Sequence, residues 1–418
     1  MEEWKKVKLE NYIIDIAAGP FGSNLKVECF VPRGFPIIDG ANLRGFKVTD
    51  NISKFVTEEK AKSLHRSIAK RNDVVVTISG NVGQISYIPQ DSMYEEYLVS
   101  QRQFRATFDT RRLYVPFLIY YFHTREGQHK ILSFANQTGV PALAQPLKNF
   151  KNIEINLPDI SLQKRIANIL SSLDDKIENN KRINDNLEKQ AQTLFKSWFL
   201  DFEPFKDQPF EESELGMIPK GWRVGKLNEV AFINPSRTLK KCETATYLDM
   251  KNMPTSGPFP LYCEKKEYSG GMRFKNQDTI MARITPCLEN GKVAYVNFLE
   301  DDEIAFGSTE YIVMTTKEKS MSELLYFLCR DETFKGYATQ NMNGTSGRQR
   351  VSGETIGNYI IAIPPKSLIE PISPFFKRVM DTIRNNGYES RRLAQLRDLL
   401  LPKLMSGELK VNDVEKNL

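Results

Sequence analysis

From Ser161 to Phe202 the chain reads SLQKRIANILSSLDDKIENNKRINDNLEKQAQTLFKSWFLDF, a run without proline or glycine. Helix formers dominate it, which predicts one long helix. Ile166, Leu170, Leu173, Ile177, Asn180, Asn184, Leu187, Ala191, Leu194 and Trp198 follow one another at alternating steps of four and three. Such a seam, apolar at its ends and polar in its middle, is the pattern of a coiled coil whose polar positions fix register at some cost in stability. Ile372, Phe376, Val379, Ile383, Asn386, Ser390, Leu393, Arg397, Leu400 and Leu404 repeat it in the same register, 206 residues later. The alternative is two helices of one ordinary core, against which the polar break that recurs at the same place in both weighs.

The repeat extends outward from the helices. Trp4 and Leu9 match Trp222 and Leu227. Asn72-Asp-Val-Val75 matches Gln277-Asp-Thr-Ile280, and Gly83-Gln-Ile-Ser-Tyr-Ile88 matches Gly291-Lys-Val-Ala-Tyr-Val296. Leu118–Phe122 matches Leu324–Leu328, and Lys151–Pro158 matches Gly357–Pro364. Ordered matches at nearly one offset, about half the chain, indicate duplication of whole domains, not a solenoid. Before each helix lie short β-like runs (Val74–Ile78, Ile85–Ile88, Gln103–Phe108 and Ile153–Leu157) punctuated by Gly, Pro and Asn, with a short helix expected around Val115–Leu132. The expected division is 1–158, a first mixed domain; 159–203, a helix; 204–364, an irregular Pro- and Gly-containing connector and a second domain; and 365–418, a second helix. The fold class is therefore α+β: two similar mixed α/β domains joined and spaced by two long helices forming an antiparallel coiled coil.

Connectivity gives the direction. The first helix delivers the chain to the second domain, so a partner helix must run back. With aligned ends, Asn184 faces Asn386 and Asn180 faces Ser390. These four are the expected register residues. The seam is about 50 Å long at ~1.5 Å per residue, or about 15 base pairs at ~3.4 Å each.

Composition bounds the function. Hydrophobic residues make up 40% and charged residues 26%, so each half can bury a core. The net charge of +6 permits a nucleic-acid partner without demanding one, and no segment forms a basic tail. No apolar run approaches the ~18 residues needed to span a membrane. The charged start MEEWKKVKLE shows no secretion signal, and five scattered cysteines form no CxxC pair. A reducing cytoplasm is the expected compartment.

Catalytic motifs are missing. The chain holds no GxxxxGK[ST], GxGxxG, GxSxG or HExxH. Its three histidines, His65, His123 and His129, all fall in the first half, so no histidine site can be duplicated; His123 and His129 are expected to face solvent or the domain surface, and no metal is expected. Asn234-Pro235-Ser236 lacks the second proline and aromatic of an adenine methyltransferase loop. Asp249, Glu264 and Lys266 have the loose spacing of a magnesium nuclease, which also suits a charged surface loop.

What remains is a pair of binding modules. Base edges and phosphates are read by amides, hydroxyls and arginines on adaptable loops. In the first half Ser79, Asn81 and Gln84 lie in the Gly-rich stretch Thr77–Gln84, with Gln101, Arg102 and Gln103 nearby and Gln137 and Thr138 further on. In the second, Asn343, Thr345, Ser346, Arg348, Gln349 and Arg350 belong to Asn341–Arg350, with Arg283, Lys292 and Thr309 as further candidates. Solvated turns favour the same residue types, so composition alone leaves both meanings open.

With these features in place, the sequence resembles the specificity subunits of type I restriction–modification systems. The stretches that carry the resemblance are Thr138-Gly-Val-Pro-Ala-Leu143, Ile155-Asn-Leu-Pro158 followed by Gln163-Lys-Arg-Ile166, Ser197-Trp-Phe-Leu-Asp-Phe202, Leu215-Gly-Met-Ile-Pro-Lys-Gly-Trp222 and Leu399-Leu-Leu-Pro-Lys-Leu-Met-Ser-Gly-Glu408. The second half departs at Ile369-Glu-Pro-Ile372, where the family usually has Gln and a basic residue, so that helix start is expected to pack differently. The resemblance implies two target recognition domains that each read part of a split double-stranded DNA site, with the helices as a ruler. It implies two modification (methyltransferase) subunits docked on the helices and, in some complexes, restriction (motor-nuclease) subunits. The chain itself would be non-catalytic and bind no cofactor, with S-adenosylmethionine, ATP and magnesium on its partners. The alternatives are a coiled-coil scaffold without DNA contact, or a stand-alone nuclease or methyltransferase.

Overall fold

The computed structural model describes residues 4–136, 139–260, 262–345 and 347–416. The chain forms two compact units, Met1–Lys176 with Leu393–Leu418 (unit 1) and Ile177–Arg392 (unit 2). Two long helices run through both: α1, Ile160–Phe199, and α2, Lys366–Ser406.

Unit 1 holds two four-stranded sheets. The first has the antiparallel order Ile13–Ala18, Gln103–Phe108, Val74–Thr77, Ile85–Tyr87. The second has the order Phe55–Val56, Phe35–Ile38, Glu96–Val99, Ile68–Lys70, with its central pair parallel. The strand at Val74 is apolar at successive positions because both of its faces are covered. Val74 and Val76 join the core beneath the helices, and Val75 packs with Ile38, Tyr97 and Val99 of the second sheet. Lys5–Lys8 pairs with Glu154–Leu157 and brings the start of the chain beside the start of α1. Where one helix was expected there are two, Val115–Phe122 and Arg125–Leu132. Thr124 leaves helical geometry between them, and its hydroxyl accepts from Gly127 N–H at 3.1 Å, starting the second helix.

Unit 2 repeats this topology strand for strand. Its first sheet is Ala231–Ile233, Tyr311–Thr316, Thr279–Ala282, Val293–Tyr295. Its second is Glu264–Glu267, Thr244–Leu248, Ala305–Gly307, Met272–Phe274, again with a parallel central pair. Arg223–Lys226 pairs with Ile360–Ile363. The connector adds a hairpin, Phe210–Ser213 with Gly216–Pro219. Phe199, Phe202 and Phe205 surround Trp222 in this unit, so the connector is anchored by aromatic packing.

Each unit takes one part of each long helix. In unit 1, Ile166, Leu170 and Leu173 of α1 share a core with Leu400, Leu401 and Leu404 of α2. Arg397 binds Asp174 at 2.6 Å, while Arg165 binds Glu415 beyond the end of α2 at 2.6 Å. In unit 2, Ala191 and Phe195 of α1 share a core with Ile372, Phe376 and Val379 of α2. Partners rise along one helix as they fall along the other, so the pairing is antiparallel in both units. Every seam position named above is buried or half-buried.

The helix ends follow local chemistry. Asp159 Oδ1 accepts from Ser161 N–H at 2.8 Å and Leu162 N–H at 3.1 Å, capping α1. Gly407 follows α2 with φ of +74°, a left-handed stop that glycine adopts without strain. Pro371, Pro374 and Pro402 lie inside α2, where each removes a backbone donor; the buried apolar stripe holds the helix together across them. The two helix starts also differ. Gln163 is buried and bridges, accepting from Tyr114 N–H at 2.8 Å and donating to Pro158 O at 2.9 Å. Ile369, at the matching place in unit 2, is buried in apolar core. No helix among the described residues is long and apolar enough to cross a membrane.

Candidate nucleic-acid interface

In unit 1, six of the candidates converge. Ser79, Asn81, Gln84, Gln101, Arg102 and Gln103 line one half-open cavity of about 600 Å³. Two loops form it. The loop after Val74–Thr77 turns back through Gly80 and Gly83, whose φ values of +87° and +88° suit glycine. Backbone bonds tie it down on both sides: Ile78 N–H to Arg102 O at 2.7 Å and Gly80 N–H to Pro141 O at 3.0 Å. The second loop is the turn Ser100–Gln103, closed by Gln103 N–H to Ser100 O at 3.0 Å. The six candidate side chains therefore sit on loops fixed to a rigid sheet.

Gln103 is 1% exposed. Its Oε1 accepts from the Ser100 hydroxyl, and Gln84 Oε1 accepts from the Thr77 hydroxyl at 3.3 Å. Among the described residues neither amide Nε2 has a partner. Sequence reasoning missed Asp39, Arg44 and Lys54, which line the same cavity. Lys54 Nζ donates to Asp39 Oδ2 at 2.8 Å. Burial works against the Asp39 charge, but the Lys54 ammonium and Ala41 N–H outweigh it and hold the carboxyl below its usual range. The one available signal was the match of Asp39 with Asp249, both of which cap short 3-10 turns. Gln137 and Thr138 lie outside the described residues.

In unit 2 the same framework carries a different surface. Asn343 and Arg350 pair across a tight hairpin, with both N–H···O distances 2.9 Å. It is bound to the sheet by Val351 N–H to Arg283 O at 3.0 Å and Thr285 N–H to Gln349 O at 3.1 Å. Arg283, Thr309 and the hairpin are thus brought together around Glu310. Arg350 grips both oxygens of Glu310, at 2.9 Å from Nε and 2.8 Å from Nη2, and Nη1 donates to Arg348 O at 3.0 Å. These guanidinium bonds, with Arg283 beyond, lower the Glu310 carboxyl below its usual range, against partial burial. Arg350 is a brace, whereas Thr345 and Arg348 are exposed with no side-chain partner among the described residues. Thr309 is exposed on its turn. Lys292 Nζ donates to Met250 O at 2.6 Å, which ties its charge to the scaffold. Ser346 lies outside the described residues.

Two histidine and carboxylate expectations need correction. His123 does not face solvent. Its ring packs on Phe46 at 4.4 Å and its Nε2 meets Ile85 O at 2.9 Å, and burial lowers its pKa. Glu264 and Lys266 stand on an exposed edge strand rather than a loop, and Asp249 caps a turn through Lys251 N–H at 2.8 Å.

At the seam, Asn386 Nδ2 donates to Asn184 Oδ1 at 2.8 Å, and Asn184 Nδ2 donates to Ile383 O at 3.1 Å. Asn180, 1% exposed, donates to Glu389 at 2.7 Å and to Ser390 Oγ at 3.3 Å. Its own Oδ1 is buried without a partner.

One module present twice, with divergent polar loops on a common scaffold and long helices leading from one copy to the next, defines a two-module recognition protein. The family model for the type I restriction modification DNA specificity domain matches residues 1–189 and 219–393. The chain belongs to that family. It is 27% identical over 433 residues to the MjaIX type I restriction enzyme specificity subunit of Methanocaldococcus jannaschii, covering 99% of this chain and 95% of that protein. It is 23% identical over 390 residues to the HindI specificity subunit of Haemophilus influenzae, covering 78% and 84%. The fold is similar to the crystal structure of a type I restriction–modification S subunit from M. genitalium, with a TM-score of 0.60, 16% identity and 96% of each chain covered.

Proposed function

We propose that the chain is the non-catalytic DNA-recognition subunit of a type I restriction–modification complex. Each unit reads one part of a bipartite duplex site, while α1 and α2 set the gap and dock two modification subunits. S-adenosylmethionine, ATP and magnesium belong to the partners, the motor-nuclease subunit among them, and the complex works in the cytoplasm. The observation that carries this is the contrast between units: the same strand order beneath polar loops of different sequence. Phosphate contacts supply affinity that falls with salt, and base contacts supply choice. Arg102, Arg348 and the amides and hydroxyls beside them are the reading groups, with 1–158 and 204–364 as the target recognition domains.

The test is genome-wide mapping of N6-methyladenine in cells that express the neighbouring methyltransferase with this chain, without it, or with α1 shortened by a heptad. A split motif that requires the chain, with a spacer altered or lost in the shortened form, is the expected result. Identical maps with and without the chain would refute the assignment.

A further inference from the structure

Among the described residues, unit 2 sets a different side chain where unit 1 faces its cavity. Gln103 pairs with Thr77 in its ladder, and Tyr311 pairs with Ala282 at the same place in the other. The Tyr311 ring fills the space, and its hydroxyl donates to Leu248 O at 3.1 Å. A methyl carbon on the adjoining Gly307 would stand 2.4 Å from that ring. In unit 1 the equivalent space is open and faced by amides. A methyl carbon on Gly40 would stand 3.3 Å from Gln84 Oε1 and 3.9 Å from Gln103 Nε2, so both side chains border one spot.

Stacked base pairs are read in a groove, and a groove admits a protruding element. The exposed hairpin of unit 2 suits that. A concavity does the reverse: it receives a group that projects from the DNA. Its volume of about 600 Å³ lies within the ~300–1,000 Å³ of small-molecule sites. Gln103 is almost fully buried, yet its Nε2 is unpaired and borders the cavity, so a polar donor waits there without a protein acceptor. Carboxamides pair with base edges by one donor and one acceptor. Arg44 and Arg102 on the rim are placed for the flanking phosphates. Phe21, 82% exposed, precedes Gly22, which abuts the Gln101 side chain at the rim. An exposed aromatic of this kind can enter the stack that a departing base leaves.

We propose that the unit 1 cavity binds an everted nucleobase of the DNA site, held by the amides of Gln84 and Gln103 beside Gly40. This rests on the DNA-reading assignment above and adds that the two units read by different modes. The probe is a set of duplexes carrying the methylation-mapped motif, with 2-aminopurine at one position at a time, titrated with the full chain in the absence of partner subunits and S-adenosylmethionine. Expected is a several-fold fluorescence rise at one position. Gln103→Leu and Gly40→Ala should abolish that rise and weaken binding about 10- to 100-fold, with unchanged melting temperatures. Gly40→Ala leaves both amides in place and blocks only the space between them. Specific binding with no unstacked position overturns the proposal while sparing DNA recognition. So does a rise that persists in both variants. No sequence-specific binding at all refutes both.

Discussion

Arg348 and Arg350 stand two residues apart in opposite settings. Arg350 spends all its guanidinium edges on Glu310 and the Arg348 carbonyl; Arg348 keeps its own free among the described residues. Arg348→Ala should therefore weaken binding to every duplex and reduce the salt slope by about one, as measured by titrations at several salt concentrations. Glu310→Ala should act differently, by loosening the hairpin and broadening the bases accepted in one half-site. A pH dependence follows from the depressed Glu310 carboxyl. The stabilisation is complete above the ordinary glutamate value of 4.5 and is lost as pH falls through the lower folded value. Thermal unfolding of the wild type should drop across that window more than that of Glu310→Ala. Residue types in Asn341–Arg350 were legible as polar and basic, but the split between a bonded and a free guanidinium was not. It depends on Glu310, which reaches the hairpin only through folding. Gln103 was legible as polar; that Tyr311 takes its place in unit 2 requires strand register.

At the scale of elements, α1 and α2 were the most legible because a four-three seam is a direct geometric statement. Their partners could be written down by counting, since antiparallel packing leaves one free parameter. The proline-bearing start of α2 was less legible, because buried Ile372, Phe376 and Val379 outweigh local propensity. The polar centre yields a test. Asn386→Leu removes the donor to Asn184 Oδ1 and adds apolar surface, so the two effects nearly cancel and stability should shift by no more than about 1–2 kcal/mol in urea unfolding. Register or oligomer state should change instead, as read by light scattering; an unaltered state would show that the asparagines do not set register.

For the whole molecule, duplication was legible from matched segments, yet the compact units are not the contiguous halves that duplication suggests. Unit 1 is completed by Leu393–Leu418. Leu400, Leu401, Leu404 and Met405 are all buried there, and at about 1.5–3 kcal/mol each they contribute as much as the ~5–15 kcal/mol net stability of a typical domain. Removing residues 393–418 should therefore expose unit 1 to limited proteolysis while unit 2 stays resistant. The arrangement also governs how the protein is born. A ribosome releases residues 1–176 of unit 1 before unit 2, but its closing segment emerges only after all of unit 2. Throughout that interval Ile166, Leu170 and Leu173 lack their α2 partners Leu400, Leu401 and Leu404, and unit 2 is the first body that can finish folding. Synthesis order and folding order are thus inverted, so a message cut short before residue 393 would spoil a module encoded far upstream of the break.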